Sequence, residues 1–187
     1  RLSLALGRIS DALRDFEEAS ASDDRAASAE ARMLMVEAKL KRNEIKKDDA
    51  LAELETVSAI WRGDDIEIHT LNLLTQLYAD LGRYRDALLA ARTATIMQPN
   101  SEISRATQDK AAALFMDLFL EGGADKMPVV DALALFFEFR QLTPIGRRGD
   151  EMIRRLAERM VSVDLLDQAS ELLQYQVDHR LQGAARA

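Results

Sequence analysis

The stretch Leu81-Gly82-Arg83-Tyr84-Arg85-Asp86-Ala87-Leu88 repeats, 75 positions on, the reading of Leu6-Gly7-Arg8-Ile9-Ser10-Asp11-Ala12-Leu13, and Ala94 and Thr95 answer Ala19 and Ser20. A glycine followed five residues later by an alanine, inside a helix-forming run, reads as a turn and the start of a closely packed helix. Ala50 lies 38 residues after Ala12 and 37 before Ala87, so the long offset resolves into two units, the middle one without the turn glycine. A chain built this way is a quasi-one-dimensional stack that presents an extended surface, which points to binding as its work.

Composition agrees with a helical array. The 187 residues are 48% apolar, enough for a core, while eight glycines and three prolines are too few for a loop-rich sandwich or a disordered linker. Aromatics are 5%, and alanine and leucine fill the apolar positions, which suits packed helices better than sheets. A net charge of −7 weighs against a general nucleic-acid binder, because neutralising phosphates takes a clustered basic surface. The absence of cysteine removes disulfides and thiolate metal sites and leaves the compartment unread. The chain opens at Arg1 inside the repeat register, so an amino-terminal portion, including any signal, is expected upstream. The most apolar run, Val129 to Phe139, is broken by Asp131 and Glu138 and is far short of the roughly 20 residues that span a bilayer, so it reads as a buried helix.

Punctuation predicts about nine helices in antiparallel pairs. Ser10 or Asp11 caps a helix to Ser20, with Ala12, Leu13, Phe16 and Ala19 on one face; the next runs from Asp23-Asp24 to Arg42, with Ala31, Leu34, Met35 and Ala38 inward. A third runs from Asp48-Asp49 to Gly63 and a fourth from Asp64-Asp65 to Gly82, burying Leu71, Leu74 and Tyr78. The recurring acidic pairs have a plain cause, since carboxylates accept from the free amides of a first helical turn and sit well against its dipole. The fifth helix spans Tyr84 to Met97, and the sixth runs from Ser101 to Gly122-Gly123. Pro128 opens a seventh that reaches Gln141-Leu142, and two more cover Arg148 to Val161 and Asp164 to Leu181. Gly183 is the expected cap of the last, with Ala184 to Ala187 starting another.

The segment from Glu67 to Asn100 resembles a tetratricopeptide repeat, a helix-turn-helix unit of about 34 residues. Leu71, Leu74 and Tyr78 match the large apolar positions of its first helix, Gly82 its turn, and Tyr84, Ala87, Ala91, Ala94 and Pro99 its second helix and close. Gly7, Ile9, Ala12, Phe16 and Ala19 are similar to the second half of an earlier repeat, and Asp24 to Trp61 to a longer repeat with an enlarged turn. Ile153 to Leu181 resembles a degenerate copy through Leu156, Met160, Ala169 and Leu173, without the turn glycine or closing proline. The resemblance implies an all-α, right-handed α-solenoid of antiparallel helix hairpins. It comprises a half repeat over 1–20, repeats over 23–63 and 64–100, and a degenerate region over 101–187 that continues the same solenoid. Pentatricopeptide arrays would be basic, and HEAT or armadillo repeats lack the Gly82 to Pro99 spacing.

No set of residues argues for catalysis, a cofactor or a metal. His69 and His179 fall on different helices, and Asp65 one turn before His69 makes a pair where a metal needs further ligands. Gly122-Gly123 lacks the lysine of a phosphate loop and reads as a helix terminator. Arg62-Gly63-Asp64 and Arg148-Gly149-Asp150 spell the tripeptide that integrins recognise, but helix punctuation explains the first copy and, by analogy, the second. Arg147, Arg148, Arg154, Arg155 and Arg159 form the densest basic group; pairing with Asp150, Glu151 and Glu158 on a solvated face is the plain reading, and an acidic partner the other.

In tetratricopeptide arrays the first helices line a groove, which by register assigns ligand contacts to Arg32, Val36 and Lys39 from one repeat and His69, Asn72 and Gln76 from the next. The expected function is a non-catalytic scaffold or adaptor, part of a larger protein, that binds a peptide or protein there. The alternatives are a regulatory or substrate-positioning region of a larger enzyme, and self-association through apolar end faces.

Overall fold

The computed structural model describes residues 9–179, and side chains from 11 to 178. Leu6 to Arg8, the end of the last expected helix, His179's side chain, Gly183 and Ala184 to Ala187 lie outside the described residues. Nine α-helices and one 3-10 turn are present among them, with no strand. They are α1 (Ile9–Ser20), α2 (Arg25–Lys41), α3 (Lys47–Ile60), α4 (Asp64–Asp80), α5 (Tyr84–Met97), α6 (Glu102–Phe119), α7 (Val129–Glu138), α8 (Arg147–Ser162) and α9 (Leu166–His179), with Arg140–Leu142 as the 3-10 turn. The chain divides into two compact units, Arg1–Lys110 and Ala111–Ala187, the division falling within α6.

In the first unit α1 to α5 each pack on their neighbour in sequence, and α2 also meets α4. Asp24 caps α2 by accepting from the amides of Ala26 (2.9 Å) and Ala27 (3.3 Å), and Asp64 accepts from Ile66 at the start of α4 (2.9 Å). Asp48-Asp49 falls within the first turn of α3, whose cap position is Lys46 with no side-chain bond, so that pair acts through the helix dipole alone. The inward stripe expected for α2 is corrected. Ala29, Met33 and Val36 are buried with Ala31 and Ala38, while Leu34 and Met35 are half-buried, because α2 has neighbours on more than one side. From α4 the Tyr78 hydroxyl donates to Glu55 on α3 (2.8 Å), with the Arg83 guanidinium 4.6 Å from the ring centre. Burial, then the Glu55 carboxylate, pushes the Tyr78 phenol up to about 12.

The turns carry the repeat. At Gly82 (φ 75°) the Gly82 amide donates to Ala79 and the Arg83 amide to Tyr78. These are the two bonds of a Schellman cap, whose left-handed residue is normally glycine. The same two bonds recur around Asn43 (φ 56°), from Asn43 to Leu40 and Glu44 to Lys39, and around Asp164 (φ 64°), from Asp164 to Val161 and Leu165 to Met160. The glycine missing from these two copies is thus replaced by residues with a short polar side chain that tolerate the left-handed region. Asn43→Gly and Asp164→Gly should each stabilise the fold by about 0.5 kcal/mol, net of the entropy that glycine adds to the unfolded chain, and Gly82→Ala should cost about 1 kcal/mol. An added Cβ at Gly82 meets nothing within 4 Å, so urea midpoints of the three variants isolate the backbone effect.

In the second unit Phe115 and Phe119 of α6 meet Phe136 of α7, with ring centres 5.6 Å and 5.3 Å from it and 4.7 Å from each other. α6 stops at Phe119, before Gly122-Gly123, and residues 120–128 form a longer turn with Gly122 at φ 89°. α7 ends at Glu138 and gives way to the 3-10 turn, ahead of Thr143-Pro144, where the proline disfavours helix in the residue before it. Met152, Ile153, Leu156, Ala157 and Met160 are the buried face of α8. On α9 the buried residues are Ala169 and Leu172; Leu173, one of the residues that carry the resemblance to a degenerate repeat, is exposed, one position round the helix from Leu172.

Candidate functional site on the first helices

α2, α4 and the start of α6 are the first helices of successive hairpins in the first unit, and polar side chains join them along one line. His69 Nε2 on α4 lies 3.4 Å from Glu37 Oε2 on α2, and Glu37 Oε1 accepts from Lys41 at 2.7 Å. Asn72, one turn beyond His69, accepts through Oδ1 from Thr107 Oγ1 (3.1 Å) and Lys110 Nζ (3.0 Å) on α6. Thr107's one hydroxyl proton also serves the closer Ile103 carbonyl (2.7 Å), so it is Lys110, a donor only, that fixes the amide with Oδ1 towards it and Nδ2 turned away. Gln76 is exposed and donates to Asp80 (2.8 Å), which also pairs with Lys47 at 2.7 Å.

The six expected groove residues fare differently. His69, Asn72 and Gln76 follow one another at three- and four-residue spacing on α4, each with polar partners. Arg32 and Lys39 are half-buried on α2, and among the described residues no hydrogen bond or ion pair joins their side chains to the α4 line. Val36 is corrected: at 2% exposure it is part of the core with Met33, Leu54 and Ile68, and has no surface to offer. Val36 stands one residue past Met35, which the alanine spacing of 37 pairs with Asn72, and that step of about 100° round α2 turns it from the half-buried face into the core. Ala50 follows Asn43 by seven residues whereas Ala87 follows Gly82 by five, so the α2–α3 turn holds two extra residues after its left-handed position. Matching the turns instead of the alanines pairs His69, Asn72 and Gln76 with Glu30, Met33 and Glu37; Met33 is itself a core residue, and Glu37 is the residue found facing His69. Glu37, Thr107 and Lys110 were not anticipated; asparagine's tolerance of the left-handed region was the available signal for the first.

The hydrogen bond from His69, and then Lys41, hold the Glu37 carboxyl down to about 2 against the opposing effect of burial. A carboxyl lowered on folding stabilises the fold fully above its unfolded value of about 4.5, and that contribution is lost as pH falls from there towards 2. Glu37→Gln is therefore expected to flatten the decline of stability between pH 4.5 and 2, as read from urea midpoints across that range.

The other sequence candidates are absorbed by structure. In the first tripeptide, Arg62 pairs with the buried Glu67 (3.3 Å), the Gly63 amide donates to the same carboxylate, and Asp64 accepts from Trp61 Nε1 (3.2 Å) and Ile66. The second tripeptide does not repeat that arrangement: Gly149 is buried in the first turn of α8, and Gly146 (φ 81°) is the residue before that helix. Of the basic group, Arg154 and Arg155 pair with Glu151 and Arg154 also with Glu158. Arg155 also donates to the Leu120 carbonyl and Arg159 to those of Met127 (2.9 Å) and Asp125 (3.4 Å), so these two satisfy the long α6–α7 turn. The two arginines, with Leu118, Phe119 and Leu156, line an open cleft of about 340 Å³. Among the described residues no three histidine or carboxylate side chains come together as metal ligands, and no helix is long and apolar enough to cross a membrane.

No protein-family model matches the sequence, and no curated protein matches it. Among solved structures the chain is similar to that of a kinesin light chain from Podosopora anserina, described as having nearly identical TPR-like repeats. The likeness has 16% sequence identity and a TM-score of 0.51, and covers 100% of this chain and 93% of that one. With its hairpins, recurring Schellman turns and buried alanines, the chain has a TPR-like helical-repeat fold.

Proposed function

We propose that the chain is a non-catalytic scaffold or adaptor segment that binds an extended peptide of a protein partner along α2, α4 and α6. The observation that carries this reading is the polar line Glu37, His69, Asn72, Lys110, whose members sit on successive first helices and hold one another in place. Asn72 is set to donate through Nδ2 to a peptide carbonyl, because its Oδ1 is already occupied. Gln76 and Lys110 extend the line with an adaptable amide and a positive charge, a mixture suited to reading a backbone and one acidic side chain. Side chains already held by neighbours lose little freedom on binding, which favours affinity.

The test is selection of extended peptides from a random library on the immobilised protein, followed by titration of the selected peptide against a variant carrying His69→Ala, Asn72→Ala and Gln76→Ala. All three side chains are at least partly exposed, so the variant should keep its helix content, and binding should weaken tenfold or more, on the order of 1.4 kcal/mol. Unchanged affinity would remove the site from this face.

A further inference from the structure

α9 carries a second surface, unrelated to the polar line. Leu166, Leu173 and Val177 are 55%, 42% and 49% exposed, and Val161 and Val163 at the end of α8 are exposed beside the same turn. At roughly 100° per residue, Leu166, Ser170, Leu173 and Val177 fall within an arc of about 60°. The buried Ala169 and Leu172 lie about 100° to one side of that stripe, towards α8. Asp167, Glu171 and Asp178 lie about 110° to the other side, in a single row. All three are exposed, and α9 contains no lysine or arginine to balance them. Asp178 accepts from Gln174 at 2.9 Å, which keeps it on that flank.

We propose that α9 docks an amphipathic partner helix whose apolar stripe is edged by lysine or arginine. A helix fits because the exposed residues follow a helical period and offer ridges to interdigitate, while the backbone of α9 is already bonded within itself and has no edge for a strand. Charge selects the partner. A basic edge laid along the stripe meets the Asp167, Glu171, Asp178 row, whereas a second copy packed antiparallel, stripe on stripe, sets acidic row against acidic row.

Two synthetic helical peptides with the same leucine stripe, one edged with lysine and one with glutamate, test this by fluorescence anisotropy on the whole chain. The lysine-edged peptide is expected to bind and the glutamate-edged one not. Leu173→Ser with Val177→Ser should weaken binding tenfold or more with circular dichroism unchanged, since both side chains already face solvent. Asp167→Asn with Glu171→Gln should weaken it severalfold, and His69→Ala with Asn72→Ala should leave it alone. Equal binding to the serine variant, no preference between the peptides, or no binding by the unmodified chain would overturn the proposal. So would concentration-dependent dimerisation that the serine variant abolishes, which would assign the stripe to a second copy.

Discussion

Phe136→Ala is expected to cost about 3–5 kcal/mol, the range for truncating a fully buried aromatic. Phe136 is wholly buried and touches the rings of Phe115, Phe119 and Phe137, with an edge-on contact to Phe119 at 5.3 Å. Those rings come from α6 and α7, joined by the long 120–128 turn, so local structure does little to hold them and ring packing does most. Removing the central ring leaves a cavity that the flanking phenylalanines cannot fill without leaving their rotamers, and it deletes edge-to-face attraction as well as buried area. Urea unfolding followed by helical circular dichroism checks this. A loss below 1 kcal/mol would mean that the cluster collapses freely and does not specify the packing of α6 on α7.

Ala87→Leu is expected to cost about 1–3 kcal/mol or more, by the opposite mechanism of overpacking. Ala87 is fully buried on α5, beside Ala90, Ala91 and Ala94, an alanine face that lets the helices of the hairpin approach closely. The corresponding residues elsewhere are Ala12, Ala50, Ala132 and Ala169, and all are buried. Four residues further along the second helix, by contrast, stand Phe16, Leu54, Ala91, Phe136 and Leu173, of very different size, the first four buried and Leu173 exposed. The first position is limited by backbone approach, the second filled by whatever volume its neighbours leave. Ala87→Leu should therefore lower the urea midpoint well beyond Ala87→Ser, which adds a single atom; equal effects would argue that polarity and not space is what Ala87 resists.

That contrast explains what the sequence made legible. The invariant alanines and Gly82 are constrained by the backbone, so they recur as letters and locate the hairpins. The variable positions carry no letter, and α6 and α7 are joined by a turn unlike the others, which is why the degenerate half showed only helices. The polar line on the first helices was half readable. His69, Asn72 and Gln76 sit on the repeat with a glycine turn and were placed on one face of α4, with their partners Glu37, Thr107 and Lys110 hidden. On α2 the expected contact Val36 is a core residue, one step round the helix from Met35, and its neighbour Glu37 is the residue that faces His69. Contacts between successive first helices join residues about 35 positions apart, and no local spacing reports them.

Asn43, Gly82 and Asp164 form the same two hydrogen bonds with three different side chains. What this chain inherits from one hairpin to the next is thus a handedness at one peptide unit, and drift can rewrite the residue there as long as that handedness survives. Such a motif can lose its glycine and keep its turn, and a copy can lose every recognisable letter while its helices go on stacking.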